Sequence, residues 1–248
     1  MQKKRRPRAL TLTLPNAKQP QFVLDGNRYT LRNFSSDGLG LWVPPPIPFG
    51  LDSGQTISGD VVIGRDIFPV KLEIRHISKM MVGFQFVEVS KELKSILLKL
   101  MEPSTNAASL EAQAESGDED VTIGQPRIWY AGPTQTDLVI WYNPLNFSIL
   151  GLQACWQGKW IYRWQFKPAQ TGFLKEGVPH RGGTRVLGAD LIESHEVSNP
   201  SILYEAAQFL TAVPMPLPGH LLWQFLELGD QIFLPKSIIP NEKLAKKA

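Results

Sequence analysis

Apolar and polar positions alternate with a period of two through most of the first ninety residues, then switch to a helical period. Ala9-Leu10-Thr11-Leu12-Thr13-Leu14 alternates apolar with β-branched polar residues, the mark of a half-buried strand, and Pro15-Asn16 ends it. Phe22-Val23-Leu24 and Arg28-Tyr29-Thr30-Leu31 flank Asp25-Gly26-Asn27, which reads as a hairpin because Asp-Gly supplies positive φ. Leu39, Leu41 and Val43 predict the next strand. Pro44-Pro45-Pro46 stops it, since prolines cannot donate to a ladder. Val61 to Ile63, Ile67 to His76 and Met81 to Val89 predict three more. Within 67–77 the pattern sets Ile67, Pro69, Lys71, Glu73 and Arg75 against Phe68, Val70, Leu72, Ile74 and His76. Some six short strands separated by turn residues predict a closed barrel. Ser90 caps a helix over Lys91 to Met101, where Leu93, Ile96, Leu97, Leu100 and Met101 form one stripe that is expected to plug the barrel.

Pro103 to Asp120 is rich in Ser, Ala, Asn and Glu and carries the acids Glu111, Glu115, Asp118, Glu119 and Asp120. It lacks the apolar content to fold alone, which predicts an acidic flexible linker over 104–122 between domains at 1–103 and 123–248. The second half holds six of the seven tryptophans. Ile128-Trp129-Tyr130, Leu138 to Tyr142 and Leu150 to Phe166 predict strands, the last folded at Gln157-Gly158. That turn is expected to put Leu152, Ala154 and Trp156 on one hairpin face with Trp160, Tyr162, Trp164 and Phe166, as sheet core in preference to a base-stacking ladder. Val186 to Val197 reads as strand. Asn199-Pro200 starts a helix to about Ala212 with Leu203, Ala206, Ala207 and Leu210 inward, and Pro218 starts another with Leu221, Leu222, Phe225 and Leu226 inward. Lys243 to Ala248 reads as a solvated tail, and the half as an α+β domain without a family signature.

The chain has 248 residues, 43% of them hydrophobic and 20% charged, which suits a globular protein of one large or two modest domains. Its net charge of +3 is unevenly placed, because the first eight residues hold five cations and no acid. A general nucleic-acid binder would carry a broad cationic face and is not expected. Cys155 is the only cysteine, so neither an intramolecular disulfide nor a cysteine metal cluster is available. No apolar run reaches about 18 residues and the cationic start is not followed by a hydrophobic region, so no membrane span or signal peptide is expected and a reduced cytoplasm is the expected location. The histidines His76, His180, His195 and His220 show no metal-ligand spacing. The loop Gly177 to Gly183 is glycine-rich and cationic but lacks the Lys-Ser/Thr ending of a nucleotide-triphosphate loop. Cys155 sits in a strand in apolar company, where thiols are generally inert. No triad or carboxylate pair can be nominated, so neither catalysis nor a cofactor is expected.

What remains is the stretch Arg32-Asn33-Phe34-Ser35-Ser36-Asp37-Gly38-Leu39-Gly40-Leu41 and the basic arm Lys3-Lys4-Arg5-Arg6-Pro7-Arg8. Asn33 and Ser35 lie two apart, so on extended backbone both point to one face. Gly38 follows where the chain must turn or let something approach closely. By itself such an arm is a solvated tail. Together the two pieces resemble the paired motifs of PilZ domains, RxxxR followed by [D/N]xSxxG. Asn33, Ser35 and Gly38 match the second motif in full; Arg8 fills the second arginine position of the first, and Lys4 stands at the other.

The resemblance covers residues 1 to 103. It implies a six-stranded antiparallel β-barrel with a C-terminal helix, and a bacterial, non-enzymatic receptor for the dianionic messenger cyclic di-GMP. It further implies Lys4, Arg5, Arg8, Asn33, Ser35 and Gly38 as ligand-binding residues: Arg8 and a cation near Lys4 grip guanine and phosphate, Asn33 and Ser35 add hydrogen bonds, and Gly38 keeps the turn tight. Lys4 departs from the family arginine, and an ammonium cannot make the planar bidentate contact, which leaves Arg5 or Arg6 to compensate by a shift of register. The arm is expected to be disordered when free and to fold over the ligand. The second domain is expected to contact a protein partner, in motility or biofilm regulation. Two other readings stay open: a degenerate scaffold acting only through protein contacts, favoured by Lys4, and nucleic-acid binding by the arm and the Trp-rich sheet.

Overall fold

The computed structural model describes residues 8–10, 18–43, 52–78, 80–113, 119–120, 123–133, 135–165, 167–175 and 191–214. Lys4, Arg5 and the rest of the arm before Arg8 lie outside these residues, as do the strand residues expected after Leu10, the Pro44 to Pro46 stop, the Gly177 to Gly183 loop and the helix expected from Pro218. The protein is mainly β: a closed six-stranded antiparallel barrel with a helix after it, followed by a second sheet domain.

The first half contains β1 (Ala9–Leu10), β2 (Gln21–Leu24), β3 (Asn27–Ser35), β4 (Gly38–Trp42), β5 (Thr56–Ile63), β6 (Asp66–Ile77) and β7 (Met81–Glu88). The barrel order is β3-β2-β5-β6-β7-β4, and β4 pairs back onto β3 to close it. Asp25 and Gly26, at φ of 50° and 77°, make the tight β2–β3 turn that the sequence predicts. On β3, β2 covers only the first residues, so that edge is free further along, and β1 occupies it by pairing Ala9 with Phe34 and Leu10 with Asn33.

Two bulges break the alternation where it matters. In β3, Leu31 pairs with Leu41 and Asn33 with Gly40, leaving Arg32 as the extra residue. An inserted residue reverses which side chains face inward beyond it. Leu31 and Phe34 are therefore both buried at 1% exposure although three apart, and Asn33 and Ser35 reach the outer face. In β6, Ile74 pairs with Phe84 and His76 with Gly83, which makes Arg75 the extra residue. The expected inward set Phe68, Val70, Leu72 and Ile74 is buried, but His76 is exposed because the bulge turns it outward.

The helix α1 (Lys91–Ala108) starts as predicted, with the Ser90 hydroxyl accepting from the Leu93 N–H at 3.1 Å. Leu93, Leu97 and Met101 enter the barrel core. The helix does not end near Met101, where the linker was expected to take over. It continues through Pro103 to Ala108, and Ala107 and Leu110 are buried in the core of the second sheet. Pro103 deprives the helix of one backbone donor. Packing against the second domain offsets this, including a hydrogen bond from the Ser104 hydroxyl to the Gln208 carbonyl at 3.4 Å. Two pieces of the expected linker pair with the second sheet as β8 (Glu111–Ala112) and β9 (Glu119–Asp120).

The second sheet adds β10 (Gln125–Gly132), β11 (Thr136–Tyr142), β12 (Ile149–Trp156), β13 (Lys159–Trp164), β14 (Gln170–Leu174) and β15 (Ile192–Ser194), in the order β15-β14-β13-β12-β11-β10-β8. The helix α2 (Pro200–Ala212) follows, capped by the Asn199 side chain accepting from the Ser201 N–H at 2.9 Å. The two-residue turn Gln157-Gly158 pairs Trp156 with Lys159 and Cys155 with Trp160. Cross-strand partners share a face, so Trp156 lies with Ile161, Leu152 and Ala154 against α2, while Trp160, Tyr162 and Trp164 share the opposite face with Gly151, Gln153 and Cys155. This corrects the expected single aromatic face by one residue of register. Trp156 stacks on Phe209 with ring centroids 5.2 Å apart, and Glu205 of α2 accepts from its indole N–H at 3.4 Å and pairs with Lys159.

Candidate functional site

The outer face of the barrel carries a cleft of about 630 Å³, within the usual size range of small-molecule sites. The ladders build it row by row. One row runs Asn33, Gly40, Gly83, His76 across β3, β4, β7 and β6; the next runs Ser35, Gly38, Gln85, Glu73. Three glycines thus leave bare backbone as a floor, with Asn33 and Ser35 on one side and His76, Arg75 and Gln85 on the other.

Arg8 joins the first side. Extending the β1–β3 register by one residue from Ala9 and Phe34 brings Arg8 level with Ser35, and both line the cleft. The structure thus brings together Arg8, Asn33, Ser35 and Gly38 from the two sequence motifs.

Of the two uses expected for Gly38, a turn or a close approach, the structure shows the close approach. Its φ is not left-handed, and the turn itself is made by Ser36 and Asp37. A Cβ at position 38 would stand 2.0 Å from the Phe84 carbonyl oxygen, so glycine is required by the approach of β7. Ser35 secures the turn: its Oγ accepts from the Asp37 N–H and donates to the Gly38 carbonyl, both at 3.4 Å. A Cβ at Gly40 would come 2.9 Å from Asn33 Oδ1 and displace the amide from its place on the wall.

On the far side, the Arg75 guanidinium is held at two points. Its Nε–H donates to Gln85 Oε1 at 2.7 Å, and its Nη1 lies 2.8 Å from Glu73 Oε1. Arg75, His76, Gln85, Gly40 and Gly83 did not stand out in the sequence as site residues. Glycines inside strands are a signal of close approach, but which strands meet is not written locally.

A smaller pocket of about 170 Å³ is lined by Lys18, Lys99, Glu102, Lys159, Tyr204 and Glu205, among others. Among the described residues no group of three or more His, Cys, Asp or Glu could hold a metal ion, and no helix is long and apolar enough to cross a membrane. His195 Nδ1 lies 2.9 Å from Thr171 Oγ1 and its ring meets Phe173 edge-on, while His180 and His220 lie outside the described residues. Burial, reinforced by Asp137, pushes the Cys155 thiol far above its ordinary pKa, which disfavours a nucleophilic thiolate.

No protein-family model and no curated protein matches the chain. Among solved structures, similarity extends to an uncharacterised Legionella protein, with 17% identity, 36% of this chain and 89% of that one covered, and a TM-score of 0.28. The PilZ domain of YcgR from Escherichia coli with c-di-GMP is 21% identical over 40% of this chain and 88% of that one, with a TM-score of 0.31. PlzA from Borreliella burgdorferi in complex with c-di-GMP is 13% identical over 66% of this chain and 77% of that one, with a TM-score of 0.25. Structural neighbours of the chain thus include PilZ domain structures. At such TM-scores the likeness carries no weight on function, which has to come from the cleft.

Proposed function

We propose that this chain is a non-enzymatic bacterial receptor for cyclic di-GMP, bound in the cleft on the outer face of the barrel. One observation carries the reading: Arg8 and the Asn33, Ser35, Gly38 set, distant in sequence and singled out there as a motif pair, line the same cleft. The chemistry is suited to the ligand. Guanine offers O6 and N7 as paired acceptors, which an arginine fork satisfies together. The two phosphates need cations or N–H donors, and charge-assisted bonds to phosphate are the strong kind. The glycine floor lets a planar base approach the backbone.

Arg8 and the cations before it, Lys4 and Arg5 among them, close over the nucleotide in this reading, at a backbone-ordering cost of about 1–2 kcal/mol per residue. Affinity is expected in the micromolar range, near −8 kcal/mol. Calorimetry is the test: Arg8→Ala is expected to abolish binding of cyclic di-GMP, and binding as tight as the parent's would refute the assignment.

Output is proposed to run through α1, whose residues enter both cores. Arm closure beside β1 then changes the arrangement of the second domain, or its hold on a protein partner in motility, secretion or envelope machinery, in the cytoplasm. Such a change requires the ligand to bind two arrangements differently. Small-angle scattering profiles are expected to differ with and without cyclic di-GMP, and superimposable profiles would remove this step.

A further inference from the structure

The motif accounts for one side of the cleft, and the other side has its own cation. Arg75 is the inserted residue of the β6 bulge, next to His76, and both side chains line the cleft. Bulges of this kind re-aim side chains at sites. Gln85 and Glu73 each take one donor of the guanidinium, which leaves its Nη2 without a protein partner among the described residues and fixes the plane of the fork. A fork already held by two acceptors loses less rotamer entropy when it grips a ligand than a free arginine does. Glu73 and Gln85 do not cancel its use: Arg75 remains more than half exposed, with 56% of its side-chain surface open to solvent.

Between Asn33 and His76 lie three strand spacings, about 14 Å along the sheet. A mononucleotide carries one base and one phosphate and serves one side. A cyclic dinucleotide repeats both groups and can meet both. We infer that Arg75, aimed by Gln85 and Glu73, is the second cation of the cleft and grips the far half of the dinucleotide, guanine edge or phosphate, while Arg8 grips the near half. This rests on the cyclic di-GMP reading above and assigns a residue that the motif does not contain.

The test is calorimetric titration of the full chain with cyclic di-GMP, for the parent, Arg8→Ala, Arg75→Ala, Arg75→Lys and Gln85→Ala, with melting temperatures recorded for each. Arg75→Ala is expected to weaken binding at least tenfold with an unchanged melting temperature, as a merely structural surface arginine would not. Arg75→Lys is expected not to restore it, because an ammonium has no planar fork of donors to offer the ligand while Gln85 and Glu73 hold it, and Gln85→Ala is expected to cost a smaller factor. Arg75→Ala binding within twofold of the parent, while Arg8→Ala has lost binding, would overturn the inference and leave the receptor reading intact. Full rescue by Arg75→Lys would overturn the fork. A parent that does not bind cyclic di-GMP would overturn both.

Discussion

On the barrel, the apolar residues Phe22, Leu31, Phe34, Leu72 and Ile74 point into a sheet that closes on itself, and the outer face around Gly38, Gly40 and Gly83 is left to small and polar groups. On the second sheet, which is open, both faces are occupied by bulk. One packs Trp156, Leu152 and Ile161 against α2, and the other buries Trp141 at 0%, Cys155 at 2% and Trp160 at 6% exposure. Both sheets are antiparallel and similarly sized, so the difference lies in closure. A closed barrel buries its core from within and can leave a strip of its exterior as bare glycine backbone. An open sheet must cover its faces, and its aromatic residues are spent on packing. The Trp-rich half, expected to use its aromatic residues as sheet core, has Trp141 and Trp156 fully buried, and the ligand-sized cleft lies where side chains are smallest.

Trp141→Ala is the largest test of this contrast. Its ring meets Tyr162 and Trp164 edge-on at centroid distances of 6.2 and 5.9 Å in a fully buried setting. Truncation is expected to cost about 3–5 kcal/mol in denaturant unfolding. A loss below about 1 kcal/mol would mean that this face is a free surface after all. A gentler test bears on the barrel. At Gly83 a Cβ would find ordinary van der Waals room, 3.5 Å from the His76 Cβ, so Gly83→Ala is expected to keep stability within about 0.5 kcal/mol of the parent. The added methyl would stand on the cleft floor and is expected to weaken cyclic di-GMP binding by about tenfold, about 1.4 kcal/mol. Unchanged affinity would show that the ligand does not lie on the glycines.

Half of the site was legible in the chain and half was not, for one physical reason. Asn33, Ser35 and Gly38 fall within six residues, and Arg8 belongs to a charged run visible at a glance. The far side depends on β7 and β6 lying beyond β4, and on a bulge at Arg75 that the alternating pattern of β6 conceals. Strict alternation places His76 beside Ile74 in the core; one inserted residue sends it out to the cleft.

Local chemistry in the sequence was enough for the strands, the Asp25-Gly26 turn, the caps at Ser90 and Asn199 and the motif pair, since each depends on groups a few residues apart. The tertiary structure alone decided the rest. It carried α1 past Pro103, because Ala107 and Leu110 gain burial in a second core that more than offsets one missing backbone bond. It also set Gly40 against Gly83, since the partner of a strand is chosen by closure of the whole barrel, and no short stretch of chain contains that information.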